Sequence, residues 1–72
     1  MKNSYMQSKE AGWEMASRAC RSLHTMVMPR DENELFGIAE YFDLPPNEVT
    51  KRVGPLGVDV RELEQLSRQR AA

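Results

Sequence analysis

Three breaks built around proline divide this chain into short segments and limit the folds open to it. They are Pro29, the pair Pro45-Pro46, and the stretch Gly54-Pro55-Leu56-Gly57. Proline lacks the backbone N–H donor and disfavours the helical conformation in the residue before it, so a helix ends at or before each break. Four segments result, and each can be interpreted as a helix.

The first segment, residues 4–28, has the spacing of one long amphipathic helix. Apolar or small residues recur three or four positions apart, which places them on one face. They are Trp13, Ala16, Cys20, Leu23 and Val27. Gly12 lies inside this pattern and costs up to about 1 kcal/mol relative to alanine. A helix that begins near Gly12, with residues 1–10 frayed, is therefore the alternative.

The second segment opens with a helix start signal. Asp31 is a favourable N-cap, and Glu34 three residues later completes a capping box. Four apolar residues then follow at the spacing of a single core-facing stripe. They are Leu35, Ile38, Ala39 and Phe42. Phe36 and Tyr41 lie off this stripe, and the helix is expected to stop at residues 42–43.

The third and fourth segments share one start pattern, in which an apolar residue before the cap packs on another in the first turn. The pairs are Leu44 with Val49 and Val58 with Leu63. Pro46 suits the first position of the third helix, which should end at Gly54-Pro55. Asp59 is the N-cap of the fourth helix, where Leu66 adds to the core face. Val, Ile and Thr never alternate over four or more positions, so no strand pair is predicted.

These elements predict an all-α fold, a small bundle of three or four helices. A long N-terminal helix would pack on a helix-turn-helix-like pair and a C-terminal helix. With 72 residues, of which 40% are hydrophobic and 29% charged, the chain is expected to form one helical domain over residues 1–72. No apolar run resembles a signal peptide or a membrane span, and the lone cysteine cannot form an internal disulfide. The expected location is the cytoplasm.

Cys20 and His24 are the only residues whose types suggest metal binding or nucleophilic catalysis. They stand four apart in the predicted first helix, but structural zinc needs four ligands and no second Cys or His exists. A buried thiol beside a half-exposed histidine is the favoured interpretation. The glycine-containing loop at residues 54–57 lacks the Lys-Ser/Thr of a phosphate loop. We therefore predict no enzyme activity, catalytic residue, metal, cofactor or small-molecule substrate.

Residues 38–53 carry a more specific pattern. Ala39 is a small residue where two helices would cross closely, and Asp43 occupies the turn between them. Apolar residues stand at or near the spacing that such a pair requires: Phe42, Leu44, Val49 and Val53. This segment resembles the helix-turn-helix motif of bacterial DNA-binding proteins.

The resemblance implies a recognition helix that enters the major groove of DNA. The residues it would present are Asn47, Thr50, Lys51 and Arg52. Arginine and asparagine can contact base edges, while lysine and threonine commonly bind phosphates. A helix-turn-helix transcriptional regulator is accordingly one of two functions that we consider.

The other function is protein binding, and the charge distribution favours it. Residues 31–48 contain six acidic and no basic residues, and the pI is about 5.8, whereas DNA-binding domains are usually basic. Methionines and aromatics outside the predicted stripe could form an adaptable contact surface. The candidate interaction residues are Met26, Met28, Glu32, Glu34, Phe36, Glu40 and Tyr41. Our leading prediction is a small non-catalytic regulatory or adaptor protein that binds a protein partner or itself, as a homodimer.

Overall fold

The computed structural model describes residues 4–71, and the side chains of residues 8–71. Within this range the chain forms four helices and one short antiparallel sheet. The helices are α1 (Ser4–Cys20), α2 (Glu32–Tyr41), α3 (Pro46–Thr50) and α4 (Val60–Ala71), and the strands are β1 (Met26–Val27) and β2 (Val58–Asp59). The prediction of a small all-α bundle is confirmed.

Two buried glycines set the crossing of α1 and α2. A Cβ atom on Gly12 would lie 1.9 Å from the backbone oxygen of Glu34, and one on Gly37 would lie 2.0 Å from that of Lys9. Neither distance leaves room for a side chain, so the two helix backbones touch directly. Gly12 therefore sits inside α1, which begins before it at Ser4. Of the residues expected to be frayed, 1–3 lie outside the described part of the chain.

The predicted course of the first helix is wrong in two respects. α1 ends at Cys20 instead of continuing to Met28. Its buried face runs along Gly12, Ala16 and Ala19, whereas Leu23 is 92% exposed and Trp13 is 45% exposed. The close crossing of α1 and α2 requires small residues on the buried face of α1. These small residues are spaced three and four apart, as are the larger apolar residues on the next face of the helix. The sequence pattern therefore predicted the wrong one of two neighbouring faces.

The core combines α2 with parts of all the other elements. Its buried residues are Ala16, Ala19, Ile38, Ala39, Phe42, Leu44, Val49, Val58, Val60 and Leu63. The predicted stripe of α2 is confirmed, with Leu35 only partly buried at its edge. Leu63 and Leu66 pack as expected for the core face of α4, the second of them partly exposed.

Both ends of α2, and the start of α3 after it, follow the predicted local signals. The Asp31 side chain accepts a hydrogen bond from the Glu34 N–H at 2.8 Å and caps α2. At the other end, Asp43 adopts a left-handed conformation (φ 56°) that lets the chain turn sharply. Pro46 begins α3 as predicted, but α3 ends at Thr50, before the expected stop at Gly54-Pro55.

A two-stranded ladder joins the two connections that flank the central helices. Met26 pairs with Asp59 and Val27 with Val58, so the prediction of no strand pair is wrong. Each strand has only two residues, too few for an alternating pattern to appear in the sequence. Asp59 also caps α4 as predicted, because its carboxylate accepts the Arg61 N–H at 2.9 Å.

Gly12→Ala and Gly37→Ala should each destabilise the protein by about 3 kcal/mol, since the new methyl groups would force the α1 and α2 backbones apart. Gly54→Ala is the matched control, because its Cβ would meet nothing closer than 3.9 Å. Urea unfolding of the three variants measures the effect. Helix propensity alone predicts the opposite sign, a gain of about 1 kcal/mol at each helical glycine, so a stabilised Gly12→Ala protein would contradict the crossing.

Candidate protein-interaction surface

The loop before β2 is a tight hairpin that lies against β1. Gly54 and Gly57 exchange two backbone hydrogen bonds of 2.8 and 3.0 Å, which leaves Pro55 and Leu56 at the tip. Gly57 has a φ of 106°, and a Cβ there would lie 2.1 Å from the Val27 backbone oxygen. Only glycine combines this conformation with so close an approach. The hairpin is thereby held beside the strand.

Three exposed apolar residues lie in the two segments that this junction joins, and we call them the ribbon patch: Met26, Met28 and Leu56. They are 47%, 43% and 81% exposed. Val27, between the methionines, packs against the core instead, as expected for alternation along a strand. The Met28 Cα lies 3.2 Å from the position of a Cβ on Gly57, so the methionine neighbours the hairpin that carries Leu56. Two segments far apart in sequence therefore bring exposed apolar residues to one junction.

A shallow groove of about 580 Å³ begins next to the ribbon patch. Its apolar lining consists of Pro29, Leu35, Phe36 and Val53. Pro29 directly follows Met28, so the lining of the groove begins one residue after the patch. The polar part of the lining is Arg30, Asp31, Glu32 and Thr50. Phe36, a predicted interaction residue, is half-buried in this groove.

Tyr41 contributes mainly to packing between helices. Its ring makes edge-to-face contacts with Trp13 of α1 and with Phe42, both with centroids 5.0 Å apart. Such aromatic pairs stabilise a fold by roughly 0.5–1.5 kcal/mol beyond the area they bury. Tyr41 is partly buried against the core, and Trp13 is the more exposed member of this group.

Two of the three acidic residues predicted to contact a partner, Glu34 and Glu40, pair with basic residues of the protein itself. The prediction that Glu34 is available to a partner is wrong, because it is only 3% exposed. Its carboxylate accepts the Arg30 backbone N–H at 2.8 Å and pairs with the Arg30 guanidinium at 3.0 Å. The predicted capping box is therefore wrong in its second half, because in that motif the Glu34 carboxylate accepts the Asp31 N–H. Glu40 pairs with Lys9 of α1 at 2.8 Å, while Glu32 remains exposed.

Two of the four residues implied by the helix-turn-helix resemblance lie beside a carboxylate. Arg52 donates to the Glu48 carboxylate at 3.0 Å and to the Glu48 backbone oxygen at 2.8 Å. Lys51 lies 3.5 Å from the same carboxylate. The Thr50 hydroxyl donates to the backbone oxygen of Pro46, whereas Asn47 is exposed. Both basic side chains thus have an acidic neighbour within α3 and the turn that follows it.

The structure separates Cys20 from His24. Because α1 ends at Cys20, the two residues do not share a helix face, and Cys20 is exposed instead of buried as the sequence suggested. Partial burial, and then the charge of Glu64, raise the pKa of the Cys20 thiol. Across residues 4–71, no three His, Cys, Asp or Glu side chains are grouped so as to hold a metal ion. None of the helices in this range has the length and apolar character needed to cross a membrane.

Leu56 is the surface residue that sequence reasoning missed. The sequence analysis treats the stretch from Gly54 to Gly57 only as a break between helices, although a two-residue loop between glycines is also a hairpin signal.

Comparison with protein-family models, curated proteins and solved structures finds no match to this chain. The interpretation of the surface therefore rests on its geometry and chemistry.

Replacement of Glu48 by glutamine should change stability in a pH-dependent way. The hydrogen bond from Arg52 lowers the pKa of the Glu48 carboxyl below its ordinary value of 4.5. A carboxylate with a depressed folded-state pKa stabilises the protein above its unfolded-state pKa, and this stabilisation is lost as the pH falls through the folded-state pKa. The stability difference between wild type and Glu48→Gln should therefore be full at neutral pH and shrink under acid conditions.

Urea unfolding at a series of pH values from about 7 to 3 measures this difference in stability. The series spans the pH range where carboxylates titrate. Glu32→Gln is the control, since the side chain of Glu32 has no ion-pair or hydrogen-bond partner among residues 4–71. A pH-independent difference for Glu48→Gln would show that the ion pair with Arg52 does not form in solution.

Proposed function

We propose that this protein is a small non-catalytic regulatory or adaptor protein that binds another polypeptide through the ribbon patch. The observation that carries the proposal is the exposure of Met26, Met28 and Leu56 in two segments that touch through their backbones at Gly57. Contiguous exposed apolar side chains commonly mark binding sites, whereas single ones are unremarkable. Methionine suits such a site because its unbranched side chain adapts to the shape of a partner.

The neighbouring groove supports the same function. Its apolar lining with polar sides matches the usual arrangement of an interface, an apolar centre with a polar rim. Phe36 in the groove supplies an aromatic anchor of the type enriched at the centres of protein interfaces. The groove begins at Pro29, next to Met28 in the chain, so one partner can contact both the groove and the patch.

DNA binding through α2 and α3 is the second candidate, and the turn between these helices favours it. Asp43 has the left-handed conformation that the motif uses at this position, and Leu44 and Val49 are buried between the helices. Against it, Arg52 and Lys51 already have Glu48 as a neighbour, and Glu32 lies in the same groove as Thr50. A carboxylate beside a recognition helix repels the phosphates that supply most of the affinity for DNA.

Affinity capture with the immobilised protein, together with a duplex-DNA shift at low salt, tests both candidates. We expect a defined protein, another or the same chain, to be retained and to be lost at least tenfold when Met28→Ser and Leu56→Ser are combined. Gln65→Ser, an exposed change on α4, should leave retention unchanged. Retention that ignores the double variant contradicts the proposal. A salt-sensitive DNA shift that Lys51→Glu abolishes would replace it with the second candidate.

A further inference from the structure

We propose that the ribbon patch binds a second copy of this chain, and that the β1 strands of the two copies pair edge to edge. The strands would run antiparallel about a twofold axis. This inference rests on the proposed protein-binding function and names the partner. It follows from the backbone groups of β1 as well as from its side chains.

The ladder between β1 and β2 leaves alternate backbone groups of β1 unpaired. The Val60 N–H donates to the Thr25 oxygen at 2.9 Å, and the register then makes Val27 and Val58 the next hydrogen-bonded pair. In an antiparallel ladder the intervening residues direct their N–H and C=O groups away from the partner strand. Met26 and Met28 are these residues. Within the described chain, no hydrogen bond outside the ladder reaches their backbone groups.

The two free positions are complementary to themselves. When two β1 strands meet antiparallel with Val27 on the twofold axis, Met26 faces Met28 of the partner subunit, and the reverse holds on the other side. Each facing pair exchanges two N–H···O hydrogen bonds, so the four free donors and four free acceptors of the two strands are all used. No other antiparallel register satisfies both residues of both copies at once.

The edge of β1 carries no charged side chain that would oppose pairing. Monomeric proteins commonly protect an exposed edge with charged side chains, above all lysine. From Thr25 to Pro29 this chain has no charged residue, and both methionine side chains are exposed. The methionines of two copies would therefore pack together on the outer face of the joined sheet and leave water.

The fold also explains why such pairing would stop at two copies. Beyond Met28, the next N–H on this edge is that of Arg30, which already donates to the Glu34 carboxylate at 2.8 Å, so the free edge of β1 ends at Met28. β2 leads directly into α4 at Val60, so it has no further strand residues on which another copy could add to the sheet. The result is a closed dimer that contains one four-stranded sheet. Sheets of three or more strands are more stable than an isolated two-stranded ribbon.

Sedimentation equilibrium of the intact chain tests the pairing, with Met26→Pro as the diagnostic variant. Proline removes one N–H that takes no part in the β1–β2 ladder and is tolerated where an edge N–H faces solvent. We expect a wild-type dimer whose dissociation constant rises at least tenfold in Met26→Pro, and a smaller rise in Met26→Thr, which keeps the N–H. A dimer indifferent to proline overturns the inference. Circular dichroism shows whether each variant keeps its helices.

Disulfide crosslinking tests the register without a proline. In a Cys20→Ser background, Met26→Cys and Met28→Cys chains are prepared separately and then mixed. Facing residues in a hydrogen-bonded pair have Cα atoms about 5.5 Å apart, whereas diagonal ones are about 7–8 Å apart. Since disulfides need Cα atoms closer than about 7 Å, oxidation should crosslink the mixture more than either chain alone. Equal crosslinking in all three samples overturns the register.

The failure of this inference is distinguishable from the failure of the proposed function. A monomer that still loses a captured protein when Met28→Ser and Leu56→Ser are combined overturns the pairing and leaves the proposed function standing. A monomer that captures nothing through the patch overturns both.

Discussion

The two close backbone contacts between α1 and α2, one at Gly12 and one at Gly37, determine how the other parts of this protein can be arranged. Each glycine lies against a backbone oxygen of the opposite helix, so α1 and α2 approach more closely than side chains would permit. This approach brings Lys9 within 2.8 Å of Glu40, across the same crossing. The polar contacts between the helices are therefore consequences of a steric fact, the absence of two Cβ atoms.

The same crossing explains the short course of α1 and the position of the sheet. The small residues of α1 end with Ala19, and the helix stops one residue later. The chain then returns toward α2 through β1, where Val27 faces the core and pairs with Val58. A strand of two residues gains little stability by itself. It is held in place because Gly57 admits the Val27 oxygen at a distance that no other residue would allow.

Features with local causes could be predicted from the sequence. The caps at Asp31 and Asp59 and the helix start at Pro46 depend on neighbouring residues alone, and each was predicted correctly. Features with distant causes could not. Gly12 costs helix propensity locally, and its value appears only when the backbone of Glu34 in α2 is placed against it. Likewise, the hairpin that carries Leu56 and the strand that carries Met28 lie far apart in sequence, and no local pattern joins them.

The acidic middle of the chain shows how a sequence feature that suggests function can instead serve the fold. Glu34 closes the start of α2, Glu40 pairs across the crossing, and Glu48 holds Arg52 beside α3. These carboxylates have intramolecular roles, so their clustering in sequence requires no basic partner to explain it. No comparable role accounts for the exposed side chains of Met26, Met28 and Leu56. Since exposed apolar surface is unfavourable in water unless something covers it, the ribbon patch is the part of the surface from which binding is best argued.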